Sequence, residues 1–337
     1  SLIYRELHLV TAKMQSIATL LPSETLHLEN GLSLRPRVRF ALTVYPSNSI
    51  AATKPIDEWK LKRALLDFFQ SSLSISLTVP EDDLTMKRHK DLKNRKRDDA
   101  VASGTVFVRD LKFLEHSQDS QQDASSRSNA LQAELNEWRS RVVDKMSGIE
   151  LNLEGTKYTL TANIPDCDDF EKTKKSWEEL LASGRGKHNV DTIILRKVPS
   201  RWFSEPRVSS RPSMLVTHTV FSVFGRIRNL EVVEDDRDSG LISGLHCKVA
   251  VQFESYKDFC NAFMVICGRS LLKSGSGLEA DYEVTWAKDV YFRNSRSGEH
   301  NKFSKLDMNV VKNEPSQREP LFDGKEPKRK RFRELGY

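Results

Sequence analysis

Between residues 191 and 286 the apolar positions change from strand spacing to helix spacing and back, twice, and this order restricts the fold more than any other feature of the chain. Residues 191–199, DTIILRKVP, read as an apolar strand closed by proline. A loop carrying Trp202 and Phe203 leads to a helix over 213–224, with Leu215, Val216, Val220, Phe221 and Phe224 as its buried stripe. Gly225 ends the helix, and RIRNLEVVE at 226–234 is the second strand. The polar stretch 235–244 is a turn region, and LHCKVAVQF at 245–253 is the third strand. A helix over 256–267 turns Phe259, Phe263, Val265 and Ile266 inward, and YEVTW at 282–286 is the last strand. A four-stranded antiparallel sheet with two helices on one face is the economical packing of this order.

Upstream the same order recurs less legibly. Val38, Phe40, Leu42 and Val44 alternate with Arg37, Arg39, Ala41 and Thr43 in a half-buried strand. Ile56, Trp59, Leu65, Leu66 and Phe69 fall on one helical face, started by Pro55 and Asp57. LSISLTV at 73–79 alternates again, residues 80–103 are polar and without period, and GTVFVRDLKFL at 104–114 is another strand. Leu131, Leu135, Trp138, Val142 and Met146 mark a second helix ended by Gly148, and a hairpin follows, turning at Glu154–Gly155. A stretch at 166–187, with Asp166 as its cap and Gly184 as its stop, reads as a linker helix.

Composition narrows the class. No run approaches the roughly 18–20 apolar residues of a membrane span, and Arg5, Glu6 and Lys13 interrupt the apolar first segment, which lacks the layout of a signal peptide. Residues 1–30 carry no further pattern. Cys167, Cys247, Cys260 and Cys267 form no CxxC pair and have no histidines at zinc-ligand spacing, so they read as reduced core thiols. The net charge is only +6, but it is concentrated: residues 87–97, KRHKDLKNRKR, hold seven Lys/Arg against one Asp. Residues 325–333, KEPKRKRFR, hold six against Glu326. Such local density fits nucleic-acid contact or nuclear import better than a uniformly cationic binder. Asp235, Asp236, Asp238 and Gly240 lack the spacing and final Glu of a calcium loop. The eight histidines form no nucleophile–base set, and no phosphate-cradling glycine loop occurs, so neither an enzyme nor a cofactor is expected.

The phrase FSVFGRI at 221–227 resembles the helix-to-strand joint of RNA-recognition-motif (RRM) domains, and Val251, Gln252 and Phe253 look like the end of their eight-residue motif. Three longer phrases, DTIILRKVPSRWF, FSVFGRIRNLEV and, upstream, GLSLRPRVRFALTVYP followed by IDEWKLKRALLDF, are similar to the A-kinase anchor protein 17A-like family over about 31–290. That resemblance implies a nuclear protein associated with splicing factors. Animal members continue into a charged helix and an arginine/serine-rich tail that bear the kinase-anchoring helices. These 337 residues hold no such region, so kinase anchoring is not expected of them.

The expected architecture is α+β, with two ferredoxin-like βαββαβ (RRM-like) domains, each an antiparallel sheet with two helices on one face. Residues 31–165 form the first, with 80–103 as an inserted basic loop; 188–290 form the second; and 291–337 are a disordered basic tail. RRM domains hold RNA by stacking bases on aromatics of the two central strands. In 188–290 those positions fall on Ile194, Lys248 and Ala250. Three missing stacks imply roughly 100-fold weaker binding even at about 1 kcal/mol each. The outward set of Thr192, Ile194, Arg196, His246, Lys248, Ala250 and Gln252 leaves Arg196, His246 and Lys248 as candidate RNA contacts. The denser candidate is the basic loop: Lys87, Arg88, Lys90, Lys93, Arg95, Lys96 and Arg97, with Arg35, Arg37 and Arg39 as a basic strand edge. Pro327, Lys328, Arg329, Lys330 and Arg331 form a candidate nuclear-import signal. The function expected is non-enzymatic, RNA-associated work in pre-mRNA splicing, with weakly selective binding. The alternative is a scaffold whose RRM-like sheets bind protein partners of the splicing machinery.

Overall fold

Ahead of the first expected strand the chain already makes a hairpin. β1 (Leu26–His27) and β2 (Leu32–Pro36) pair antiparallel, with Asn30 and Gly31 taking the left-handed backbone (φ 58° and 63°) in the connection between them. The computed structural model describes residues 17–47, 55–73, 79–89, 99–117, 124–183, 190–205, 208–235, 244–288 and 291–292.

In the N-terminal lobe β3 (Val38–Pro46) alternates as its sequence predicts, burying Val38, Phe40, Leu42 and Val44. Asp57 caps α1 (Glu58–Ser72), its carboxylate accepting from the amides of Trp59 and Lys60 at 3.0 and 3.2 Å. The stripe of α1 is Leu61, Leu65 and Phe69. Trp59, expected on that stripe, is 59% exposed, because it sits about 200° around the helix from Leu61. The expected polar loop 80–103 contains a strand, β4 (Leu84–Arg88), whose Leu84 and Met86 are buried between exposed Thr85 and Lys87. Two apolar residues between acids and cations are too short a period to read from sequence. β5 (Ala102–Val108) starts earlier than expected for the same reason. Most of the strand expected at 73–79, and residues 90–98, lie outside the described residues.

α2 (Ala124–Met146) buries the five residues of its expected stripe. β6 (Glu150–Leu153) and β7 (Thr156–Asn163) form the anticipated hairpin, with Glu154 and Gly155 both at positive φ (52° and 77°), as a two-residue turn demands. The sheet has five antiparallel strands in the order β4-β5-β3-β7-β6.

The connecting helix, α3 (Phe170–Ala182), is capped by Asp169 rather than Asp166 and is more than a linker. Its Trp177 is fully buried, with ring centroids 5.2 and 5.4 Å from Phe259 and Phe263. The C-terminal lobe then follows its expected order: β8 (Thr192–Pro199), α4 (Met214–Phe221), β9 (Ile227–Glu234), β10 (His246–Phe253) and α5 (Tyr256–Ile266). After α4, Gly225 adopts φ 151°, where an added Cβ would meet Asp258 Cγ at 2.4 Å. Leu215, expected in the buried stripe of α4, is 70% exposed, and Thr217 faces the core together with the expected Val220 and Phe221.

Before the last strand comes a hairpin that the sequence did not disclose, β11 (Arg269–Lys273) with β12 (Leu278–Ala280), followed by β13 (Glu283–Trp286). The four-stranded sheet runs β13-β8-β10-β9. A third sheet, β1-β2-β11-β12, corrects the expected division of the chain: β2, assigned from sequence to the first domain, pairs along its length with β11 of the second. Leu26, Leu32 and Leu34 accordingly join the C-terminal core. The described chain is a mixed α and β protein built on antiparallel sheets, with three sheets rather than two.

Candidate nucleic-acid interface

The C-terminal sheet turns Ile193, Leu195, Val249 and Val251 into its core, so Ile194, Arg196, Lys248, Ala250 and Gln252 occupy the helix-free face. That face is largely closed. Ala250 is 1% exposed and Ile194 9%, in a cross-strand row with Thr285 and Glu231. Tyr291, just beyond β13, accepts a hydrogen bond from Lys248 Nζ, and its ring centroid lies 4.6 Å from that nitrogen. Burial, followed by the bond to Glu231, pushes the Tyr291 hydroxyl well above its usual range, so it stays protonated. Arg196 faces Asp235 at 3.8 Å. A polar chain crosses the sheet edge: Asn229 Nδ2 donates to Gln252 Oε1 at 2.5 Å, and Gln252 Nε2 donates to Asp191 at 2.8 Å. His246 lies at the end of β10, opposite Pro199. Two of the three expected contacts on this face are therefore engaged inside the protein. Sequence pointed to the missing rings but not to Tyr291, which lies one residue past the expected domain.

The basic strand edge is also engaged. Arg37 is 2% exposed, its Nε 2.8 Å from both Ser270 Oγ and Asp281 Oδ1 and its Nη1 3.1 Å from Asp168. Arg39 donates to the other oxygen of Asp168, and Arg35 faces Glu279 at 3.6 Å. Arg109 completes the group, reaching Asp83 at 2.7 Å, Glu279 at 2.5 Å and Asp281 at 3.2 Å. Phe107 lies under both Arg37 and Arg109, at 5.2 and 4.8 Å. Burial alone would raise the Asp281 carboxyl, but Arg37, the Ser270 hydroxyl and Arg109 hold it below its usual range. Arg37, Arg39 and Arg109 join the lobes rather than line an open surface, a role hidden until residues 168 and 281 are brought beside the strand.

What stays open is the β4 edge. Lys87 and Arg88 end this edge strand, and the rest of the candidate set, Lys90, Lys93, Arg95, Lys96 and Arg97, lies outside the described residues. The Arg88 amide donates to Glu58 Oε1 at 2.9 Å, which places the start of the basic run against the first turn of α1. In that turn Trp59 exposes more than half its surface, and Arg63 lies 5.4 Å from its ring. On the side of the sheet away from α1, the helix-free face carries Thr43, Thr85, Ser103, Thr105, Thr159 and Thr161, with Lys87 in register beside Ser103. At the β4 edge the geometry offers a ring face for a base and cations for phosphate. Among these, Trp59 was missed because helical spacing alone placed it in the core.

The remaining candidates resolve readily. Phe203 is fully buried and stacks on Phe221, and Trp202 packs partly buried on the same core, so the 202–203 pair covers that core. Burial pushes the thiols of Cys167 and Cys247 up to about 11 and about 12, which leaves them protonated and poorly nucleophilic. No described helix is long and apolar enough to cross a membrane. Pro327, Lys328, Arg329, Lys330 and Arg331, and Asp236 and Asp238, lie outside the described residues.

A family model described as AKAP-17A-like, RNA-binding domain matches residues 130–320, more than half of the chain. The match begins within α2 and takes in β6, β7, α3 and the elements from β8 to β13, and it leaves β1 to β5, α1 and the basic run outside it. No curated protein matches the chain.

Proposed function

The chain belongs to the AKAP-17A-like family of RNA-binding domains, and on that premise we propose that it is a non-enzymatic protein of nuclear pre-mRNA splicing that holds single-stranded RNA along the β4 edge. Both lobes are then variants of the ferredoxin-like βαββαβ unit. The strand orders support this: β7, β3, β5 and β4 lie side by side as do β13, β8, β10 and β9, with β6 added at one edge. The observation that carries the RNA site is the exposed Trp59 beside Arg63, next to the strand end where seven cations begin. Aromatic faces take bases of any identity and lysine or arginine tracks phosphate, so the binding is salt-sensitive and tolerant of sequence. Lys328, Arg329, Lys330 and Arg331 serve nuclear import in this reading.

The test is a salt titration of labelled single-stranded RNA on the full chain. A variant with the seven Lys/Arg of 87–97 changed to Gln is expected to lose about 5 from the slope of log K against log salt, at roughly 0.7 per cation. An unchanged slope moves the site away from this edge. A second reading, protein docking by the C-terminal lobe, draws support from Met214 and Leu215, 53% and 70% exposed on α4. Under it, changing both to Ser lowers capture of splicing proteins while RNA binding is untouched.

A further inference from the structure

Where the two lobes meet lies a partly open pocket of about 40 Å³ whose wall carries four arginines, Arg37, Arg39, Arg139 and Arg269, but only two carboxylates, Asp168 and Glu171. The four come from separate parts of the chain: Arg37 precedes β3, Arg39 lies within it, Arg139 is on α2 and Arg269 opens β11. Three of them, Arg37, Arg139 and Arg269, are more than nine-tenths buried, at 2%, 8% and 5% exposure. Each of these three has a buried guanidinium nitrogen with no hydrogen-bond partner among the described residues: Arg37 Nη2, Arg139 Nε and Arg269 Nε.

The charge is as incomplete as the hydrogen bonding. Asp168 is shared by Arg37 and Arg39, and Arg37 also pairs with Asp281 outside the cavity wall. Glu171 is exposed, and no carboxylate reaches Arg139 or Arg269 among the described residues. Arg139 donates to the Asp168 carbonyl at 2.8 Å, and Arg269 donates to the carbonyls of Val265 and Leu21, both at 2.9 Å. Carbonyl oxygens satisfy N–H groups but do not neutralise a cation. Burial holds the Arg269 guanidinium down at about 10, still protonated at neutral pH. A buried cation without a counter-charge is unfavourable enough that proteins pair it or bind an ion. Water can fill a space of about this size and take the free N–H groups, but it leaves the charge in place. A tetrahedral oxyanion supplies both the acceptors and the charge.

We propose that this cavity is a binding site for a small inorganic oxyanion of the phosphate class, lodged between the lobes and helping to hold them together. The site is separate from the β4 edge and does not depend on RNA binding. The gap beside Asp168 is no obstacle, since both its oxygens are already occupied by Arg37 and Arg39. Gln132 and Asn136 also line the space and add side-chain amides that can donate to the ion.

The experiment uses the full chain purified without phosphate or sulfate, in two arms. In the first, the protein is denatured and the released anions are measured by ion chromatography. In the second, its melting temperature is followed against inorganic phosphate and against chloride of equal ionic strength. Expected are about one oxyanion released per chain, or a phosphate-specific rise of about 5 °C near 100-fold its Kd. The rise should persist when the cations of 87–97 are changed to Gln and disappear in Arg139→Gln. No released oxyanion together with identical melting curves in the two salts means that water alone fills the space, and overturns the proposal. A rise that vanishes with the 87–97 cations also overturns it, and this arm stays decisive should Arg139→Gln fail to fold.

Discussion

The two lobes present helix-free sheet faces of opposite character. The C-terminal face has the charged residues expected of an RNA contact, yet Arg196 is held by Asp235 and Lys248 by Tyr291, and its centre at Ala250 is closed. The N-terminal face is lined by Ser103 and five threonines, with Lys87 in register beside Ser103 and the Lys157–Glu150 pair toward its β6 edge. It is open, with the basic run leaving it at β4. A cation already serving an internal partner has little left for phosphate, because a ligand must first break that contact. Availability therefore separates the faces better than composition does.

The sharpest way to break this comparison is through the arginines that border the N-terminal face without serving it. If Arg37 and Arg39 are structural, removing their shared carboxylate leaves Arg39 without a carboxylate and Arg37 with Asp281 alone. Asp168→Asn is then expected to cost about 3–5 kcal/mol in urea unfolding, the usual penalty for breaking a buried pair. Little loss would return these arginines to the ligand side. Acid probes the same group. The Asp281 carboxyl titrates lower folded than unfolded, so its contribution is fully present above its unfolded pKa, near 4, and is lost as pH falls through the folded value. Asp281→Asn should therefore flatten the acid limb of the stability curve below about pH 4; a parallel limb would contradict the pairing.

Next in size is the ring. A base–aromatic stack is worth about 1–3 kcal/mol, so Trp59→Ala is expected to weaken single-stranded RNA binding roughly 5- to 150-fold while leaving the salt slope unchanged. Loss of slope instead would mean that Trp59 acts by placing Arg63 and Arg88, not by stacking.

Much of the fold was legible because its strands and helices repeat their period over several residues. The β8, β10 and α5 segments carry three, four and five core residues respectively. β4 and the β11–β12 hairpin were not legible, since two or three apolar residues among charges define no period. The pairing of β2 with β11 joins positions more than 230 residues apart, and nothing local encodes it. The site divided in the same way. The density of cations at 87–97 can be read directly, whereas Trp59 leaves the core only because Leu61 fixes the buried side of α1. The fate of Arg37 depends on Asp168 and Asp281, one from the connecting segment and one from the far lobe.

The smallest effect is the most discriminating. Lys248 sits at one of the stacking positions of the C-terminal sheet and is its most obvious cation, so a face that bound RNA would lose affinity and about 0.7 of salt slope when it is removed. In the structure its ammonium is donated to Tyr291 and lies against that ring, while Glu231 engages the same tyrosine. A phosphate would have to displace a contact that already combines a hydrogen bond with a cation–π interaction. Lys248→Ala is therefore expected to change RNA affinity by less than about 2-fold and the slope not at all, since no counterion is released from a cation that meets no phosphate. If Lys248→Ala weakened binding with a shallower slope, Tyr291 would have to swing away when RNA arrives. The closed face would then be a second RNA site held shut by its own C-terminal segment.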